Sequence, residues 1–363
     1  MNIKRSNGRL ISAGTTGVIL TATIAGALAL GSGTAVADPS PACTSSGTVG
    51  TGGCRTIALV GSDTTDDVMQ ALAEDATTLA IGGVKQVASY KATGTSPVQV
   101  HPGANCSIPR PNGSGAGRTA LVNALNSSSA TFGCLQGSRS SSLDLSTTAN
   151  QLTYIPFGNE NVDYAVSGAS DVPLDLALSD LQAVYSCSDF ANTGIRPMLP
   201  QAGSGSRKFW IGEMYFNHVA QDTPPASVTS VSGCLENGTD EGGAPIQEHT
   251  GGQVNKRFEI SFYSVAQWES QTLDVITNAR GTTRLGTIGG ISPFGTGFPI
   301  NRDVYNVFPT AMVNQSSPPA GSVAAAIQAL FVGNTSPMCT SQIVLKYGLA
   351  HSATCGATNL VTS

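Results

Sequence analysis

The chain has 363 residues, a formal net charge of −5 and a mean hydropathy of +0.05. That length allows one large domain or two of ordinary size. The acidic balance argues against nucleic acid and against anionic membrane surfaces as partners, but not against a small anion held by local dipoles.

Residues 1–37 read as a signal peptide. Lys4, Arg5 and Arg9 precede the apolar run Leu10 to Leu30, and Ala35-Val36-Ala37 is a small-residue cleavage site before Asp38. No second apolar run approaches the length of a spanning helix. Ser40-Pro41-Ala42 ahead of Cys43 lacks the aliphatic residue of a lipoprotein cleavage site. A secreted protein, free of the membrane after cleavage, is therefore expected. All eight cysteines follow the signal, and an even count in an exported chain reads as disulfides. Nearest-neighbour pairing is the simplest connectivity: Cys43–Cys54, Cys106–Cys134, Cys187–Cys234 and Cys339–Cys355. Four scattered histidines, with no C-x-x-C or H-x-x-x-H spacing, argue against a metal site, and no cofactor is expected.

Residues 38–54, rich in Pro, Ser, Gly and Thr, read as a flexible leader. Thr56 to Val60 is a buried strand, Gly61 to Thr65 its turn, and Asp66 to Ala73 a helix with its apolar positions on one side. Thr64-x-x-Asp67 fits a capping box. The rival reading makes Ser62, Thr64 and Thr65 donors to an anion. Val87 to Tyr90 and Val98 to Val100 are short strands. Pro111-Asn112-Gly113-Ser114-Gly115-Ala116-Gly117-Arg118 opens a helix, but Pro111 and Arg118 stand where a nucleotide-binding P-loop needs glycine and lysine. Thr131 to Gln136 reads as a strand, with Gly137-Ser138-Arg139-Ser140-Ser141 as the turn behind it. Serine- and glycine-rich residues at repeated strand ends point to a ligand there, as in open α/β sheets.

Leu152 to Phe157 and Val162 to Val166 read as linked strands, and Leu178 to Tyr185 as a capped amphipathic helix. Ile195 to Met198 is extended. Leu199 to Arg207 then turns into a helix carrying Phe209, Trp210, Met214, Tyr215 and His218. A small-residue turn between strand and helix points backbone N–H groups and the positive end of the dipole at one space. Ser204 and Ser206 add hydroxyls there and Arg207 a charged fork. Residues 221–256 are loop-rich and hold Glu248-His249, either a cleft contact or a solvated pair. Ile260 to Ser264 returns to strand, Val265 to Asn278 to helix, and Val323 to Phe331 and Ile343 to Tyr347 close the chain as helices.

Several of these stretches, in this order, resemble the substrate-binding proteins of phosphate transporters. They are Gly61-Ser62-Asp63-Thr64-Thr65, Gly113 to Gly117, Leu152 to Tyr164, Leu178 to Tyr185, Gln201 to Arg207, Tyr263 to Trp268 and Arg302 to Asn306. The chain looks like a secreted, actinobacterial-type member. The resemblance implies a two-lobed α/β fold of the type 2 periplasmic-binding-protein kind, with two crossover strands near Tyr154 to Val166 and Glu259 to Tyr263. Lobe 1 would comprise 55–158 and 264–363, and lobe 2 would be 159–263. By motif, Ser62, Thr64, Gly113, Ser114, Gly115, Ser138, Arg139, Ser140, Ser204, Gly205, Ser206 and Arg207 would line the cleft. The implied function is non-enzymatic binding of phosphate or a related small oxyanion by a monomer, with delivery to an ABC transporter permease. The family's aspartate that accepts the proton of hydrogen phosphate is missing, and Arg139 lies near its place. Weaker discrimination against sulfate is therefore expected, unless Glu248, Asp63 or Asp303 supplies the acceptor. The rivals are a hydrolase using a cleft serine, for which no G-x-S-x-G elbow exists, and a surface protein of the same fold that binds nothing.

Overall fold

The computed structural model describes Asp38, Pro39, Pro41 and residues 55–363. The expected signal peptide and the expected Cys43–Cys54 bond lie outside the described residues. Ten strands form one sheet: β1 (Ile57–Gly61), β2 (Val87–Ser89), β3 (Gly137–Ser140), β4 (Leu152–Val166), β5 (Arg196–Leu199), β6 (Glu236–Asn237), β7 (Glu259–Ser264), β8 (Arg284–Leu285), β9 (Asn301–Pro309) and β10 (Ala350–His351). Eight follow the order β6-β5-β7-β4-β9-β3-β1-β2, and β8 and β10 pair with β4 beside that path. The longer helices are α1 (Asp66–Glu74), α2 (Ser114–Leu125), α3 (Leu178–Tyr185), α4 (Gly205–Tyr215), α5 (Val265–Thr272) and α6 (Val323–Phe331).

β1 is buried along its whole length, as an uninterrupted apolar run in a covered parallel strand should be. Its alternation feeds two faces. Ile57 and Leu59 pack with Met69, Leu72, Phe308, Ile327 and Phe331, under α1 and α6. Ala58 and Val60 pack with Tyr90, Leu121, Tyr154 and Val307, under α2. A separate core gathers Tyr164, Val166, Leu181, Tyr185, Trp210, Phe262 and Ile300.

β4 joins them. Its first half, with Ile155 and Phe157, belongs to the first core, and its second half, with Val162, Tyr164 and Val166, to the other. β7 runs antiparallel to that second half and passes into α5, whose Ala266 packs in the first core. The expected α/β organisation is present, with β4 running between the clusters. Segment 284–300 packs with the second core through Ile288, Phe298 and Ile300 before β9 returns to the first.

Some elements differ from expectation. Thr131 to Gln136 is mostly turn, and the strand is Gly137–Ser140 itself. Gly133 has φ +79° and Cys134 is tied to Cys106, which keeps that stretch from extending. Gly137 by contrast is wedged between Phe308 and Leu59, where a Cβ would come within 2.6–2.7 Å. The two strands expected between 152 and 166 are one. Pro156 is tolerated mid-sheet because the register with β9 shifts between Val304 and Tyr305, and Tyr305 pairs with Pro156. The helix expected to reach Asn278 ends at Thr272. Neither α1 nor α3 has a side-chain cap at its N-terminus, so the capping box at Thr64 does not form. Cys106–Cys134, Cys187–Cys234 and Cys339–Cys355 are bonded as expected. Among the described residues no helix is long and apolar enough to cross a membrane.

Candidate functional site

β1 and β3 are parallel, and so are β5 and β7, so each pair ends together at its carboxyl edge. The segments leaving these ends meet one another. Gly115 N donates to Gly203 O at 3.0 Å, which joins the start of α2 to the turn before α4. Glycine is required at this contact. A Cβ on Gly113 would lie 2.8 Å from Gly203 O, and one on Gly205 would lie 2.1 Å from Ser114 Oγ and 2.5 Å from Ser141 Oγ.

Around this contact is a cluster of buried hydroxyls. Thr64 Oγ1 is 2.9 Å from Ser206 Oγ and 3.4 Å from Ser141 Oγ. Ser114 Oγ is 3.4 Å from Ser141 Oγ and accepts from Ser141 N at 3.0 Å. Thr64 is free for this because it caps no helix, and Gln267 Nε2 holds its carbonyl at 2.7 Å. Arg302, from β9, brings charge to the edge of the cluster. It donates to Ser206 Oγ at 3.0 Å and to Ser141 O at 2.9 Å. Its charge is balanced by Glu160 of β4 at 2.5 Å, and Glu160 also accepts from the Ser264 hydroxyl.

Of the residues expected in the cleft, Thr64, Ser114 and Ser206 meet, with Gly113, Gly115 and Gly205 making room for them. Ser204 caps α4, accepting from Arg207 N at 3.0 Å. Ser62 and Ser138 are fully buried and their hydroxyls have no partner. Ser140 Oγ donates to Ser142 O at 2.7 Å. The two arginines expected in the cleft are turned to the main chain. Arg139 donates to the carbonyls of Ser62, Leu59 and Gly61 and to Ser89 Oγ. Burial lowers its pKa to about 10, against the pull of Asp66 and Asp63. Arg207 donates to Pro200 O at 2.7 Å and to Asp222 O at 2.9–3.0 Å.

Residue-by-residue reading missed Ser141, Arg302 and Glu160. Arg302 opened a stretch already singled out, but no motif says that its charge reaches Ser206. Glu248-His249, left open as cleft contact or solvated pair, is buried beside Thr64 rather than solvated. Glu248 and His249 are 6% and 7% exposed. His249 Nε2 lies 3.2 Å from Thr64 Oγ1 and 3.3 Å from Glu248 Oε2, the latter a charge contact without hydrogen-bond geometry. Asp63 completes the group. Burial first, then the Glu248 charge, raises its pKa to about 7. Burial would raise Glu248 as well, but His249 and the Ser204 and Ser206 hydroxyls hold it below the usual carboxylate value. His249 moves up: burial opposes this, and Glu248, then Asp63, outweigh it. Asp303, the third acid considered, accepts instead from Asn159 Nδ2 at 2.9 Å.

Solved structures with a similar course of chain exist. A phosphate-binding protein from Stenotrophomonas maltophilia aligns at a TM-score of 0.44 and 13% identity, over 83% of this chain and 92% of its own. A possible phosphate-binding protein from Planctomyces limnophilus aligns at 0.39 and 11%, over 82% and 92%. The regulatory domain of MetR, a LysR-family regulator from N. meningitidis, aligns at 0.38 and 9%, over 82% and 97%. No family model matches the chain, and no curated protein matches it in sequence. Likeness at this level says nothing of what this chain binds.

Proposed function

We propose that the protein is an exported, monomeric solute-binding protein that holds a small oxyanion, phosphate or a phosphoryl or carboxylate relative, between its two lobes. Delivery to a permease belongs to the same reading. The observation that carries it is the meeting of Thr64, Ser114, Ser141 and Ser206 where the N-termini of α2 and α4 converge. Hydroxyl donors, helix N-termini and a fixed guanidinium are what an oxyanion needs. The carboxylates of Asp63 and Glu248 oppose a bare anion, so a proton or a cation has to accompany it. Hydrogen phosphate brings its own proton and sulfate does not. Sulfate should therefore compete only where a cation supplies the charge.

The hydrolase reading is disfavoured by one detail. A nucleophile–histidine–acid relay needs the acid on the ring nitrogen opposite the nucleophile. Here Thr64 and Glu248 both face Nε2, while Nδ1 of His249 has no partner.

Calorimetric titration with phosphate tests the proposal. Thr64→Val and Ser206→Ala should each weaken binding about ten- to a hundredfold, the worth of one hydrogen bond to a charged group. If phosphate, sulfate and simple carboxylates all give no heat and no rise in melting temperature, the surface-protein alternative stands instead.

A further inference from the structure

Asp63, on the turn after β1, and Glu248-His249, on the loop between β6 and β7, direct one ligand-type atom each at a common point. A carboxylate oxygen of each acid and a ring nitrogen of the histidine all lie within 4.8 Å of one another. A divalent ion bound to nitrogen and oxygen at about 2.0–2.2 Å keeps neighbouring ligand atoms roughly 3 to 3.5 Å apart. His249 Nε2 and Glu248 Oε2 are 3.3 Å apart.

A second observation points the same way. Neither oxygen of Glu248 makes a hydrogen bond of good geometry, even with His249 and the Ser204 and Ser206 hydroxyls beside it, and Oδ1 of Asp63 has no partner, although all three atoms are shut off from solvent. Two carboxylates placed together out of water are costly unless something positive meets them. The nearby guanidiniums are committed elsewhere: Arg302 to Glu160, Arg139 and Arg207 to carbonyls. The backbone is arranged to suit. His249 has φ +55°, and its carbonyl accepts from both Gln271 Nε2, at 2.9 Å, and the Tyr263 hydroxyl. A strained non-glycine residue persists only where its surroundings hold it. Here they hold the imidazole against the two acids.

We propose that Asp63, Glu248 and His249 bind one divalent first-row transition ion, with Zn2+ as the best match to one imidazole and two carboxylates. The donor set is too rich in nitrogen for Mg2+ or Ca2+ to be preferred. The scatter of the histidines in the sequence had argued against any metal, but this site asks for only one. Three protein ligands leave positions open beside Thr64 and Ser206, where an oxyanion would complete the coordination. Only that last step rests on the anion reading.

The test is calorimetry and thermal melting of the purified, chelator-treated protein with ZnCl2 in a non-coordinating buffer. Phosphate is titrated separately, with and without one equivalent of Zn2+. The expected result is one equivalent bound at micromolar affinity or tighter, with a rise in melting temperature. Glu248→Gln and His249→Gln should each weaken Zn2+ binding at least tenfold. Glu248→Gln is nearly isosteric, and a cooperative melt of the metal-free variant shows that it folds, so a loss of Zn2+ binding reads the site and not the fold. His218→Gln, which breaks the pair of exposed His218 with buried Glu213, should leave the equivalent in place. No Zn2+ binding, binding lost in His218→Gln, or binding unchanged in Glu248→Gln overturns the inference. Phosphate binding without any Zn2+ binding would do the same while upholding the anion reading. One bound Zn2+ with no phosphate binding would uphold the ion and overturn that reading.

Discussion

Asp163 shows how much one buried carboxyl can do away from the site. It sits in β4 where that strand pairs with β7, fully buried, with Oδ1 accepting from Tyr164 N at 2.7 Å and Oδ2 without a partner. Burial raises its pKa to about 8, against the backbone N–H groups that favour the anion. The folded protein therefore keeps a proton that the unfolded chain gives up near pH 4. The stability this proton provides is complete below about pH 4 and is lost as pH rises through about 8. Asp163→Asn cannot ionise, so its melting temperature should fall less than the parent's between pH 5 and 8.5, scanned without ligand. Parallel curves would show that Asp163 is already ionised in the fold. The same desolvation acts on Arg139, whose partners are the carbonyls at the end of β1. Sequence made it a cleft residue because charge beside serines looks like a ligand group. Its side of the strand could not be read from Gly137-Ser138-Arg139-Ser140, where a one-residue change of register exchanges the faces.

At the scale of elements, helix N-termini separate stability from binding. Ser322 caps α6, accepting from Ala325 N at 3.2 Å, on a helix that packs in the first core. Ser204 caps α4 with the same geometry, at the hydroxyl cluster. Each change to alanine should cost about 1 kcal/mol in denaturant unfolding. Only Ser204→Ala should also weaken phosphate, and equal affinity in both variants would place the anion away from α4. Elements with strong local signals were legible: β1 from its apolar run, α2 and α4 from glycine-serine turns, and the three described disulfides from parity and spacing. What escaped depended on distant partners. β9 carries polar Asn301, Arg302, Asp303 and Asn306 in its nine residues and shows no clean alternation, yet it pairs with both β3 and β4. The joined length of β4 was hidden by Pro156 and Gly158, which are tolerated because β4 itself bulges at Phe157 opposite Val304 and Tyr305 of β9. In the site, the hydroxyl-and-glycine half was readable because each turn is local. The Asp63–Glu248–His249 group was not, because only the fold brings the loop before β7 onto the turn after β1.

The segments around the candidate site are in direct contact with one another. Gly115 donates to Gly203, Thr64 touches Ser206 and His249, and Gly205 lies against Ser114 and Ser141, so first-core and second-core segments meet without a layer of solvent between them. β4 runs through from one core to the other, β7 leads into α5 and segment 284–300 into β9, and small backbone changes there would move the cores as bodies. Contacts so dependent on the absence of a side chain give a direct handle on closure. In Gly205→Ala the added methyl would stand 2.1 Å from Ser114 Oγ and 2.5 Å from Ser141 Oγ. Two buried seryl side chains cannot both yield that much without giving up the contact. An alanine at the start of α4 costs the isolated helix nothing, because Gly205 does not use a positive φ and alanine is the better helix former. The variant should therefore fold and melt within a few degrees of the parent, yet be held open. Small-angle scattering should show the parent contracting when saturated with phosphate and Gly205→Ala keeping the larger radius, with affinity reduced at least tenfold. A variant that contracts as the parent does would mean that the α2–α4 contact is not the closing surface. An unchanged parent curve at saturation would mean that the two cores form one rigid body and that ligand enters by local opening of the 221–256 loop instead.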